Sequence, residues 1–260
     1  MSSRRFRLGG LTKTAAALAV GAVLAGGATA VAAGDSLPAH GNGGGEPPNV
    51  GQVETQVEQY YGDSIDAAGH HHFSQDSAWA RQTTQAIQRG ERFLRSRASH
   101  VTSPAIVLDV DDTSEVTYGW EVDNQFAYDP VKNEQAIDNN EFPAIKPTLR
   151  LAQWAAAHHV KVYFLTGRPE HQRAATLHDL SSQGYPEPAA LFLKSEGTRP
   201  PYLQCAAAKC TTIEYKSQTR AHIESLGNTI VLNVGDQYSD LKGDHAMRAV
   251  KLPNPMYYLP

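Results

Sequence analysis

At 260 residues, 41% of them hydrophobic, the chain can bury one substantial core with some decoration, so one catalytic-size domain is the expectation. Its formal net charge is −4; without Arg4, Arg5, Arg7 and Lys13, which stand in an acid-free N-terminal stretch, 19 bases face 27 acids, or −8, a balance that argues against nucleic acid as a partner. The two cysteines, Cys205 and Cys210, enclose a short Ala-Ala-Ala-Lys loop without the spacing or histidine neighbours of a zinc site, which leaves a local disulfide or two unconnected thiols.

Residues 1–34 read as a targeting segment, with a basic start, an uncharged Ala/Val/Leu/Gly run over 14–34, and small residues at Ala28, Ala30 and Ala32 that suit a signal peptidase. The string S-R-R-F-R-L over 3–8 resembles a twin-arginine export signal, with Sec export as the alternative. An uncleaved anchor is disfavoured because so many Gly and Ala residues partition poorly into hydrocarbon. The expectation is a secreted protein with no stable membrane association after cleavage. Residues 35–50, rich in Gly and Pro, read as a flexible linker, which leaves 51–260 for the folded domain.

Helical patterns follow over 52–61 and 77–97, the second carrying Trp79, Ala80, Thr83, Ile87 and Phe93 between polar residues. His70, His71 and His72 stand between them and invite a metal reading, but adjacent histidines converge poorly on one ion, and a loop or packing role is expected. Residues 105–113, A-I-V-L-D-V-D-D-T, look like a buried parallel strand that ends abruptly in carboxylates. Ligands gather at such strand ends in open α/β sheets. Asp109 and Asp111 are forced close, which requires either a neutralising cation or uptake of a proton; an Asp-rich turn or helix cap is the plainer alternative.

The polar and aromatic segment 114–144 contains Tyr118, Trp120, Phe126, Tyr128 and Phe142 and is expected to fold over the strand end as a small helical cover with aromatic walls. A helix over 147–158 leads to a strand over 160–165, which ends in Thr166, Gly167 and Arg168 before a helix expected over 169–182. A hydroxyl, a glycine and a cation before a helix N-terminus suit an anion. Residues 190–193 form a third short strand, 195–212 a loop with both cysteines, and Lys216 is placed at the opening of a helix that runs to 226. The strand over 230–234 breaks into G-D-Q-Y-S-D-L and presents Asp236 and Asp240, after which a fifth strand and a proline-rich tail close the chain. Strands alternating with helices imply α/β architecture with a mainly parallel sheet and right-handed crossovers.

Four polar clusters thus stand in order: D-V-D-D-T, T-G-R, Lys216 and G-D-Q-Y-S-D. Their order and residue types resemble the four motifs of the haloacid dehalogenase-like (HAD) hydrolases. The strings A-I-V-L-D-V-D-D-T, F-L-T-G-R, Y-K-S and G-D-Q-Y-S-D-L, with K-L-P-N-P-M-Y-Y, are similar to those of secreted acid phosphatases related to plant acid phosphatases and vegetative storage proteins. The resemblance spans about residues 50–260 and implies a three-layer, Rossmann-like HAD fold with a central parallel sheet, N-terminal helices and a small cover. It implies that Asp109 is the nucleophile, forming an aspartyl-phosphate, and that Asp111 is the acid and then the base. Mg²⁺ is implied between the Asp109 carboxylate, the Asp111 backbone carbonyl and Asp236. Thr166 and the Gly167 backbone are implied to hold phosphoryl oxygens and Lys216 to offset their charge. Thr113 and Asp240 are supporting members, Asp240 orienting Lys216 or a metal-bound water. Arg168 is open between substrate and a surface acid.

The function expected is therefore a secreted, Mg²⁺-dependent phosphomonoesterase acting on a small-molecule phosphate ester, with nucleotides as candidates if the cover's aromatic residues stack on a base. A phospho-accepting receiver domain uses similar residue types, but there the phosphorylated Asp stands apart from the adjacent acids, whereas D-x-D here joins nucleophile and acid. A non-catalytic storage or binding protein on the same fold is the other alternative. The cysteine loop and the histidine triplet are not motif elements and take no family role.

Overall fold

The run of apolar residues ahead of the carboxylates occupies the middle of a sheet, which is why it contains no polar side chain. The computed structural model describes residues 47–260, so the expected targeting segment and most of the linker lie outside the described residues. A first helix, α1 (Val50–Tyr61), is N-capped by Asn49, whose side chain accepts from the Gln52 N–H. It is followed by a short antiparallel hairpin, β1 (Ser64–Ile65) and β2 (His71–His72), and by α2 (Ala78–Arg97), N-capped by Ser77. The central elements are β3 (Pro104–Leu108), two cover helices α3 (Tyr118–Asp123) and α4 (Pro130–Asp138), α5 (Lys146–Ala157), β4 (Lys161–Pro169) and α6 (Arg173–Ser182). The chain continues through β5 (Ala190–Lys194), α7 (Thr212–Ser225), β6 (Thr229–Gly235), the single turn α8 (Tyr238–Leu241) and β7 (Ala249–Lys251).

The five long-range strands are parallel and lie in the order β5-β4-β3-β6-β7, so β3 is central. Period-two alternation assigns its two faces. Ile106 and Leu108 pack in a core with Ile87 and Leu94 of α2 and Leu151 and Ala155 of α5, whereas Ala105 and Val107 pack with Tyr215 and Ile223 of α7. Helices on both faces of a parallel sheet make the expected three layers.

Three local expectations require correction. Lys216 does not open its helix: α7 starts one turn earlier, because Thr211 and Glu214 form a reciprocal capping box. No α-helix begins directly after Arg168, since β4 runs through Pro169 with a register irregularity between Leu165 and Pro169, and a 3-10 turn over Glu170–Gln172 precedes α6. The cover does not turn all its aromatic rings to the strand end. Tyr61 stacks on both Trp79 and Tyr118, at 4.9 and 4.3 Å between centroids, and Phe142 is buried with Ala136 and Ile137. Trp120 remains half-buried and Tyr128 exposed, their rings meeting edge-on at 6.4 Å. Of the histidine triplet, for which a loop or packing role is expected, His71 and His72 form β2, and each histidine meets a separate carboxylate: His70 with Asp123, His71 with Asp63 and His72 with Asp66. Cys205 and Cys210 are joined as a disulfide, with Cα atoms 5.1 Å apart.

Candidate active site

At the C-terminal end of β3 the sheet ladder continues one residue beyond the strand: the Asp109 N–H donates to Val234 O at 3.0 Å. The first carboxylate is thus held by the backbone of the central strand pair. The chain then turns, with the Ser114 and Glu115 N–H groups both donating to Val110 O and Ser114 Oγ donating to Asp109 O at 2.6 Å. Asp112 lies at φ 52°, a conformation that aspartate tolerates better than most side chains. Its carboxylate is wholly buried and accepts from the Thr117 N–H, from Thr117 Oγ1 at 2.7 Å and from Tyr257 Oη at 2.8 Å. The third acid of the run therefore ties the loop to the C-terminal tail.

Two further strand ends, those of β4 and β6, and the helices α7 and α8 close around Asp109. Lys216, buried on α7, donates to Asp109 Oδ1 at 2.5 Å and to Leu165 O at 2.6 Å, and stands 3.0 Å from Asp240 Oδ1. Asp236 follows β6. Its Oδ1 accepts from Thr113 Oγ1 at 3.2 Å, and its Oδ2 accepts from the side-chain amides of Gln237 and Asn254, both at 2.8 Å. Asp240 is brought back over β6 by α8, and it accepts from the Gln237 N–H at 2.9 Å. This return needs Gly235: a Cβ there would lie 2.5 Å from the Cβ of Asp240. Thr166, at the end of β4, is buried, and its Oγ1 accepts from the Arg168 N–H at 3.1 Å. Gly167 beside it is exposed.

One oxygen from each of Asp109, Asp236 and Asp240 lies within 4.8 Å of the others. Among the described residues Lys216 is the only side chain forming ion pairs with this trio, reaching Asp109 and Asp240, and Asp236 has neutral partners alone. One buried cation facing three buried carboxylates leaves an excess of negative charge, and the protonation equilibria reflect it. Burial, followed by the charge of Asp240, pushes the Asp109 carboxyl upward against the pull of Lys216. Burial, Asp240 and Asp112 push Asp236 up to about 7. Lys216 is stabilised in its charged form: burial opposes that charge, but Asp109 and Asp240 outweigh it and raise its pKa. The donor set is all oxygen and short of positive charge, which fits a hard divalent cation. The side-chain trio includes Asp240 and not Asp111, whose carboxylate points elsewhere: it accepts from Arg168 Nη2 at 2.7 Å and from Nε at 3.2 Å. The metal set inferred from the sequence reached Asp111 through its backbone carbonyl, so the two descriptions share Asp109 and Asp236.

Residues 44–260 match the family model described as HAD superfamily, subfamily IIIB (acid phosphatase). The chain belongs to that family. Among relatives of this HAD subfamily IIIB member, Acid phosphatase 1 of Solanum lycopersicum is 34% identical over 162 residues, 59% of this chain and 58% of the relative. Vegetative storage protein 1 of Arabidopsis thaliana is 31% identical over 118 residues, covering 45% of this chain and 40% of that protein. The chain thus spans about half the length of the curated relatives it matches. In fold it is similar to the class C acid phosphatase from Bacillus anthracis, with a TM-score of 0.56 at 22% identity over 70% of this chain and 80% of that one.

Within this HAD domain the structure brings together Asp109, Thr113, Thr166, Lys216, Asp236 and Asp240 from segments up to 131 positions apart in the sequence. Sequence reasoning missed Asp112, Glu115, Gln237, Asn254 and Tyr257, which hold the others in place. The clue available was the K-L-P-N-P-M-Y-Y string, whose Asn and Tyr are polar groups in a segment otherwise read as tail.

Proposed function

We propose that this chain is a secreted phosphomonoesterase that hydrolyses small-molecule phosphate esters through an aspartyl-phosphate, with Mg²⁺ as its cofactor. The observation that carries this reading is the pair Asp109 and Lys216 at 2.5 Å, buried at the end of the central strand beside Asp236 and Asp240. A divalent cation held by Asp109, Asp236 and the Asp111 main-chain carbonyl would supply charge neutralisation to the phosphoryl group. Lys216 occupies Asp109 Oδ1, so Oδ2 is the oxygen available to attack phosphorus. As the new P–O bond forms, the ester P–O bond breaks, and the leaving oxygen takes the proton of Asp111. A water then attacks the aspartyl-phosphate, gives its proton to Asp111, and releases inorganic phosphate and free Asp109. Thr166 Oγ1 and the Gly167 N–H would hold phosphoryl oxygens, and Lys216 would offset the charge shared between nucleophile and phosphate. Trp120 and Tyr128 of the cover, whose rings are not fully buried, would be the aromatic surfaces for a nucleobase to stack on.

Export is supported by the N-terminal sequence and by the Cys205–Cys210 disulfide, a linkage that persists in oxidising compartments. The test of the whole reading is turnover of p-nitrophenyl phosphate by the purified protein with Mg²⁺ and with a chelator. Metal-dependent release of p-nitrophenol is expected; its absence with both would favour the storage or binding role that the vegetative storage relatives represent.

A further inference from the structure

The side chain that the reaction scheme leaves without a task is Arg168. It is an arginine only 3% exposed, and a buried guanidinium has to have every face satisfied. Its Nη2 donates to Asp111 Oδ1 and to Glu115 Oε2, both at 2.7 Å, its Nε to Asp111 Oδ1 at 3.2 Å and Oδ2 at 3.3 Å, and its Nη1 to Thr176 Oγ1 at 3.2 Å. Glu115, four residues after Asp111, is completely buried, and its other oxygen accepts from Gln183 Nε2 at 3.2 Å. Gln183 Nε2 donates in turn to Phe142 O, at the end of the cover, at 2.9 Å. A continuous set of hydrogen bonds therefore runs from the cover, through Gln183, Glu115 and Arg168, to the carboxylate of Asp111.

A buried ion pair of this kind adds little stability over an apolar replacement of the same volume, because each ion costs several kcal/mol to desolvate. Its effect is geometric. The planar fork of arginine fixes a carboxylate in both position and rotation, which a lysine point charge does not. The contacts are also asymmetric. Oδ1 of Asp111 takes the two shorter bonds, and Oδ2 keeps only the 3.3 Å contact, on a side chain that is still 29% exposed.

We infer that Arg168, braced by Glu115, is a positioning residue that holds Asp111 with Oδ2 turned toward the leaving-group oxygen. The inference rests on the phosphatase reading and names the residue that sets the aim of its acid. It replaces both options given for Arg168 from sequence, since the guanidinium is buried and its Nε and Nη2 are taken by Asp111 and Glu115.

The experiment is single-turnover phosphorylation of Arg168→Gln and Arg168→Lys with Mg²⁺, using 2,4-dinitrophenyl, p-nitrophenyl and alkyl phosphates. Proton donation matters most for the alkyl ester, so Arg168→Gln should lose roughly tenfold or more in rate on that ester relative to the dinitrophenyl ester, part of the 10²- to 10⁴-fold that acid assistance supplies. Arg168→Lys should show the same leaving-group dependence, because charge without the fork does not orient the carboxylate. A charge-balanced variant, Arg168→Gln with Glu115→Gln, removes the unpaired buried carboxylate and should repeat the pattern with a native circular dichroism spectrum. Equal slowing on all three esters, full rescue by Lys, or failure of both the single Gln and the balanced variant to fold would each overturn the positioning role. The unmodified protein in the same assay separates the two readings: no turnover by it refutes the phosphatase function itself, whereas normal turnover with leaving-group-independent variants refutes only the assignment of Arg168.

Discussion

Two regions of this molecule pair acids with cations, and they do so to opposite effect. At the strand ends Asp109, Asp236 and Asp240 are buried around Lys216, and the carboxylates lack enough positive charge. In the hairpin of β1 and β2, three histidines meet three separate aspartates near water, each at about the distance of an ordinary ion pair. The sequence already disfavours the adjacent histidines as ligands of one ion, and burial supports the same ranking, because a charge interacts strongly only where water does not screen it. The proposed chemistry is therefore placed in the region whose charges are unbalanced and buried, while the hairpin packs against α3.

The sharpest test of this contrast is Asp109→Asn, which keeps the side-chain volume and removes the nucleophilic charge. Turnover should fall by more than about a hundredfold, a barrier change of roughly 2.7 kcal/mol, with the melting temperature retained or raised. Survival of more than that fraction of the rate would mean that the buried cluster does not contain the obligatory nucleophile.

A second effect should come from the tail. Asn254→Leu removes one of two amides that fix Asp236 Oδ2, so Mg²⁺ affinity measured by calorimetry should weaken by about 10- to 100-fold, the usual range for loss of such an outer partner. Unchanged affinity would detach Asp236 from the metal.

A smaller effect concerns pH. Burial raises Asp112, Glu115 and Asp236 to about 7, in each case as the leading cause. Their folded pKa values exceed the ordinary carboxylate value, so the folded protein binds more protons than the unfolded chain between about pH 4 and 7. This contribution to stability is complete below that range and is lost as pH rises through 7. Metal-free protein should therefore melt at least about 4 °C lower at pH 8 than at pH 5.5, and Mg²⁺ should recover most of the loss at pH 8. Equal melting at both pH values without metal would show that the cluster is already neutralised.

The least effect is expected at the hairpin. His70 has its pKa raised by the hydrogen bond and charge of Asp123, so that contact helps at low pH and fades as pH rises through the raised value. Because the pair is exposed, His70→Ala should leave the melting temperature within about 2 °C at pH 5.5 and kcat unchanged. A large loss of activity would move the hairpin into the site and undo the contrast.

Much of this protein is readable along the chain, for reasons that act over a few residues. An apolar run ending in Asp109 marks a buried strand with a polar end, G-D-Q-Y-S-D marks another, and helices alternating with strands restrict the sheet to parallel order. The order of strand, carboxylate and lysine motifs was enough to indicate the family. Other features follow from burial and distance between remote segments, which local periodicity does not encode. Nothing near Arg168 in sequence announces that it lies between Asp111 and Glu115, and nothing near Asn254 announces Asp236. The start of α7 is not legible because its capping box precedes the apolar pattern, and the burial of Tyr118 is not legible because its stacking partner, Tyr61, is remote in the chain. The sequence by itself determined the candidate groups and the strand ends at which Asp109, Thr166 and Asp236 stand. Only the tertiary structure decided which carboxylate is neutralised, which is aimed and which is merely structural, because those outcomes depend on the loss of water around each group and on partners that the chain brings together only when folded.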